Sequence, residues 1–217
     1  MIAKHKVIFE SQILNREVHL DVFEFGEEIA TTVLLFGGTG IDEEEYQERK
    51  ASVIPLFNSE EDYNLGHIRI VYATAPFDIP FVRFGEFPSE LVKWNRHLLE
   101  DIFERWKDSR FWVSSFSGSA SLVLSGIERD KNCIGAAVLA PDELKPSFCS
   151  PKHWRDRLVV FTSPYDRVCS HPENQLVVEA LVKSQEAREV EVSTKSHSLF
   201  DYMQQAPILN WLRSLTQ

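Results

Sequence analysis

The chain has 217 residues, enough for one domain that buries about 70–75% of the surface its unfolded form would expose. Its formal net charge of −10 excludes a general nucleic-acid or anionic-membrane surface, because phosphates would be repelled. The three cysteines form an odd set without zinc-like spacing, the N-terminal residues lack the apolar stretch of a signal peptide, and no segment reaches the ~20 apolar residues of a membrane span. A cytoplasmic protein with reduced thiols is the expectation.

In chain order, residues 6–13 and 16–24 are predicted strands of an antiparallel hairpin turning near Asn15. The next strand, 32–36, runs Thr32-Val33-Leu34-Leu35-Phe36 into Gly37-Gly38-Thr39-Gly40. Acidic Asp42-Glu43-Glu44-Glu45 then opens a helix predicted over 43–57, since negative charge is favoured at a helix N-terminus. A strand at 68–72 precedes the segment 75–87, whose Phe77, Phe81, Phe84 and Phe87 either wall a site or cover the core edge. Pro88 suits the first turn of a helix over 88–106, in which Leu91, Trp94, Leu98, Ile102 and Phe103 recur at helical spacing and would face a sheet. Strands at 111–116, 134–139, 158–161 and 189–192 alternate with helices at 119–127, 172–184 and 199–215. That alternation predicts an α/β fold: a mostly parallel sheet of about eight strands, helices on both faces, and a single domain over 1–217.

Four strand ends carry residues with chemical potential. The 111–116 strand runs into Ser115-Phe116-Ser117-Gly118-Ser119, a serine with small residues two positions to either side and a helix-compatible segment behind it. A strand reversing into a helix in one step strains its turning residue and leaves that hydroxyl exposed beside a helix N-terminus; bulkier flanks would collide across the turn. The usual spelling is G-x-S-x-G, and here both glycines are serines. The 158–161 strand leads to Ser163-Pro164-Tyr165-Asp166, and the 189–192 strand to Ser196-His197-Ser198-Leu199-Phe200.

This order of glycine loop, serine, aspartate and histidine resembles the α/β-hydrolase superfamily along nearly the whole chain. The resemblance implies an α/β-hydrolase fold without a large lid domain, and a triad of Ser117 as nucleophile, His197 as base and Asp166 as the acid that orients the imidazole. It further implies an oxyanion hole from the backbone N–H of Gly118 and of Gly38, with Thr39 as second choice for the latter. Phe36 stands where the family often has histidine. Phe36, Phe116, Phe77 and Leu199 are the expected substrate contacts. The implied partner is a small-molecule ester or thioester, with no cofactor, metal, nucleic acid or membrane. Oligomeric state is left open.

Each residue has a quieter reading. Ser119 also has small flanks and competes with Ser117, or simply caps the following helix. Asp166 sits in a composition that suits turns, and Asp142 in Leu139-Ala140-Pro141-Asp142 is the rival acid. His171 precedes a proline at a predicted helix start, and His5, His19, His67, His97 and His153 show no metal-ligand spacing. The glycine loop lacks both phosphate-binding signatures, and the carboxylates after it would repel phosphate. A non-catalytic protein that keeps the pocket and binds a small ligand or a partner protein is the alternative, because serines at both elbow glycine positions could relax the turn.

Overall fold

The computed structural model describes residues 2–11, 15–36, 44, 67–73, 89–117, 132–141, 158–166, 172–183, 187–192 and 214. β1 (Ile2–Ser11) and β2 (Arg16–Phe25) form the expected hairpin, with Asn15 at φ 50°, a left-handed conformation that asparagine tolerates. β1 begins four residues earlier and ends two earlier than its apolar pattern suggests, because all ten residues pair with β2 from Ile2↔Phe25 to Ser11↔Arg16. Cross-strand pairing, rather than side-chain pattern, sets that boundary.

Then follow β3 (Thr31–Phe36), β4 (Ile68–Ala73), α1 (Ser89–Arg105), β5 (Arg110–Phe116), β6 (Cys133–Leu139), β7 (Leu158–Thr162), α2 (Pro172–Lys183) and β8 (Ala187–Glu191). The strands make one sheet in the order β1-β2-β4-β3-β5-β6-β7-β8. β2 runs antiparallel to both neighbours, and β3 to β8 are all parallel. Parallel strands covered on both faces read as continuous apolar runs, and residues 31–35 of β3 and 158–161 of β7 are buried without alternation.

One sheet face presents Leu34, Val71, Phe111, Val113, Ala136, Val138, Leu158 and Val160 to Leu98, Leu99, Ile102 and Phe103 of α1 and Val178 of α2. The Phe103 and Phe111 rings meet edge to face, 4.7 Å between centroids, which fixes α1 against β5. The side chains of Leu91 and Trp94, expected on this face, lie outside the described residues. On the opposite face Val33, Leu35, Ile70, Ala137, Leu139, Val159 and Phe161 are equally buried. Apart from Glu44 and Ser214, both helical, the helices expected at 43–57, 119–127 and 199–215 lie outside the described residues. Among the described residues no helix is long and apolar enough to cross a membrane.

Two local devices hold the parallel strands in register. Between β5 and β6 the pairing jumps from Phe111↔Cys133 to Trp112↔Gly135, a one-residue bulge. Gly135 permits it, since a Cβ there would lie 2.2 Å from the Trp112 ring. At the N-terminal ends of the parallel strands, Arg69 donates to Glu24 at 2.7 Å, Thr32 at 3.2 Å and Ser109 at 3.4 Å. Its guanidinium carbon lies 4.9 Å from the centre of the Trp106 ring, just past α1. Arg69 thus ties β2, β3, β4 and the α1–β5 connection together.

Candidate active site

In an open parallel sheet, ligands bind outside the carboxyl ends of the strands where the order reverses. Here the chain leaves β3, steps to β4 on one side, and returns to β5 on the other. The register sets Phe36, the last residue of β3, opposite Ser115 near the end of β5. The chain segments that follow β3 and β5 therefore start side by side.

Ser117 is the first residue past β5. Its φ is 53°, its side chain is half-buried, and its N–H donates to the Leu139 carbonyl of β6 at 3.0 Å. Four non-glycine residues among those described have positive φ: Asn15, His67, Ser117 and Ala140. Asparagine and histidine visit that region readily; serine and alanine do not. The two that need a reason, Ser117 and Ala140, sit at the same end of adjacent strands. Such a conformation costs of order 1–3 kcal/mol and persists only where the surroundings impose it. Ser115, two residues earlier, is 1% exposed and its buried hydroxyl has no hydrogen-bond partner among the described residues, while Ser117 keeps its positive φ beside it.

Ala140 follows β6 and donates its N–H to the Phe161 carbonyl of β7 at 2.9 Å. β7 then ends in a tight turn. The Asp166 N–H donates to the Ser163 carbonyl at 3.2 Å, with Pro164 in the position where its fixed φ is favoured. The Ser163 hydroxyl accepts the Tyr165 N–H at 3.3 Å. Both readings of Asp166 meet here: it is a turn aspartate, yet 0% exposed, whereas Tyr165 beside it is 56% exposed. A solvated turn would leave its carboxylate in water; burying it completely requires partners that compensate. Ser163 has a part the sequence reading did not give it, since its carbonyl and hydroxyl shape the turn that presents Asp166. A serine followed by proline and, three residues on, aspartate after a strand was the available signal.

One strand further, the Val192 N–H, just past β8, donates to the Thr162 carbonyl of β7 at 2.8 Å. The segment that leads to His197 therefore departs from the same sheet edge, next to the strand that carries Asp166. Two strand spacings separate β5 from β7, roughly 10 Å. Gly38, Thr39, Gly118, Ser119, Phe77, Asp142, His197 and Leu199 lie outside the described residues, as do the side chains of Phe36 and Phe116. Among the described residues no group of three His, Cys, Asp or Glu side chains is placed to hold a metal ion.

No family model matches the chain, and no curated protein matches it in sequence. Solved structures do match in fold. An esterase from Pyrobaculum calidifontis superimposes with a TM-score of 0.63 at 14% identity, covering 98% of this chain and 86% of that one. A lidless α/β serine hydrolase from Xanthomonas campestris gives 0.64 at 14% identity, with 97% and 92% covered. A predicted hydrolase from Thermoplasma acidophilum gives 0.66 at 11% identity, with 99% and 100% covered.

Proposed function

From its α/β-hydrolase fold we propose that this chain is a serine hydrolase that cleaves a carboxylic ester or thioester through an acyl-enzyme intermediate. The observation that carries the reading is the positive φ of Ser117, a strained serine at the carboxyl end of the strand beside the sheet's switch point. The fold neighbours named as esterases and serine hydrolases support the same class.

In this mechanism a serine hydroxyl alone is too weakly ionised to attack. His197 removes the proton as the Ser117 oxygen bonds to the substrate carbonyl carbon, and Asp166 holds the imidazole in the right tautomer and balances its charge. Burial of Asp166 strengthens that effect by excluding water. Negative charge moves to the carbonyl oxygen, where the N–H groups of Gly118 and Gly38, or Thr39, receive it; one such donor is worth about 10²–10³ in rate. The bond to the alcohol or thiol then breaks, and the leaving group takes the proton from His197. Water repeats the attack on the acyl-enzyme with His197 as base, releasing the acid and restoring the serine. Phe36, Phe116, Phe77 and Leu199 would contact the apolar part of the substrate.

The test is a panel of p-nitrophenyl esters and acyl-CoA thioesters of increasing chain length. Turnover of at least one series is expected, with a pre-steady-state burst where deacylation is slow. A folded protein that turns over none of them contradicts the reading.

A further inference from the structure

We propose that two copies of this chain pair antiparallel along β1, with Ile8 opposite the Ile8 of the second copy, so that the sheet continues across a two-fold axis. Among the described strands β1 ends the sheet and pairs with β2 alone, through ten successive residues without a bulge. Exposed edges are usually blunted by brevity, bulges, proline or charge. The other edge obeys that rule, since β8 has five residues and Arg188, Glu189 and Glu191 are exposed. β1 is twice as long, carries no proline, and sets Ile8, 51% exposed, among the exposed charges Lys4, Lys6 and Glu10.

The charges on β1 are complementary to themselves. Lys6, Ile8 and Glu10 alternate along one exposed face, while Val7 is buried and Phe9 packs against the core on the other. With Ile8 on the two-fold axis, each Lys6 falls opposite the Glu10 of the second copy, and Val7 falls opposite Phe9. Directly opposed residues of an antiparallel pair point to the same face, so two ion pairs would flank an isoleucine pair. Sliding the register so that Val7 opposes itself would instead set Ile8 against Lys6.

Within one copy Glu10 lies across from Glu17 of β2, like charges in opposed positions. His19 lies 2.9 Å from the Glu17 carboxylate and no cation flanks Glu10 from the free side of the strand among the described residues. Lys6 of the second copy would fill that place. Lys6 itself lies across from Asp21 of its own β2, so the incoming Glu10 would give it a carboxylate on each side. The paired strands would form an isologous interface, the commonest symmetry of soluble oligomers.

Sedimentation equilibrium of the full chain at tens of micromolar tests this, with circular dichroism melts to confirm that every variant folds. The wild type is expected to be a dimer. Lys6→Glu and Glu10→Lys should each weaken it by about tenfold or more, and the double exchange should restore it because the opposed charges are complementary again. Ile8→Lys, which sets like charges face to face on the axis and leaves Lys6 and Glu10 intact, should also give monomers. A monomeric wild type, or a dimer that survives all three single changes undiminished, overturns the proposal.

Discussion

Ser117 is held against its own backbone preference, and its stability and its chemistry can be separated by substitution. Ser117→Ala removes the hydroxyl but keeps a Cβ at φ 53°. Ser117→Gly removes both. Both variants should lose ester turnover by a factor of about 10⁴ or more. The glycine variant should nonetheless be the more stable of the two by about 1 kcal/mol in denaturant melts, because glycine adopts positive φ without penalty. Equal stabilities would mean that the turn stores no strain. For the acid, Asp166→Asn should lower kcat by about 10⁴ while Asp142→Asn leaves it largely intact. The reverse pattern would move the acid to the end of β6. The tight turn at Ser117 was legible in advance because small flanks after an apolar strand are a local requirement of such a turn. The burial of Asp166 was not, because it depends on everything that packs over the Ser163–Asp166 turn.

β6 and β7 were visible as apolar runs because a parallel strand buried on both faces has few polar positions to interrupt it. The antiparallel hairpin was visible for the opposite reason: β2 alternates exposed and buried residues in its first half, where one face meets solvent. Where β1 and β8 begin could not be read, since pairing with a neighbour extends a strand past its pattern. Nor could the bulge at Trp112↔Gly135, which depends on an aromatic ring from one strand lying over a glycine of the next. Gly135→Ala forces that ring aside and should destabilise the protein by about 1–3 kcal/mol; trimming the ring in Trp112→Leu should make the same glycine change milder. Additive losses in the double variant would disprove the contact. The helix α1 gives a comparable test at its other contact. Phe103→Ala, which removes the edge-to-face partner of Phe111, should lose about 3–5 kcal/mol.

Across the whole molecule, the two ends of the parallel strands are given to different tasks. The carboxyl ends gather Ser117, Ala140, Asp166 and the departure toward His197. The amino ends are tied by Arg69, half-buried with its links to Glu24, Thr32, Ser109 and Trp106. Arg69→Met should therefore lower stability by about 2 kcal/mol, since it strands a partly buried carboxylate, and leave kcat unchanged in the folded fraction. A matching loss of kcat would show that the two ends are coupled. The exchange of β3 and β4 in the strand order, which sets the switch point between β3 and β5, leaves no trace in local composition. It was foreseeable only through the order of motifs that resembles the α/β hydrolases.

The most direct measurement of the central claim is covalent labelling with a fluorophosphonate, followed by mass spectrometry of the modified peptide. One adduct per chain on Ser117 is predicted, lost in Ser117→Ala and retained in Ser119→Ala. A folded protein that takes up no label, or that carries it on another residue, would contradict the account.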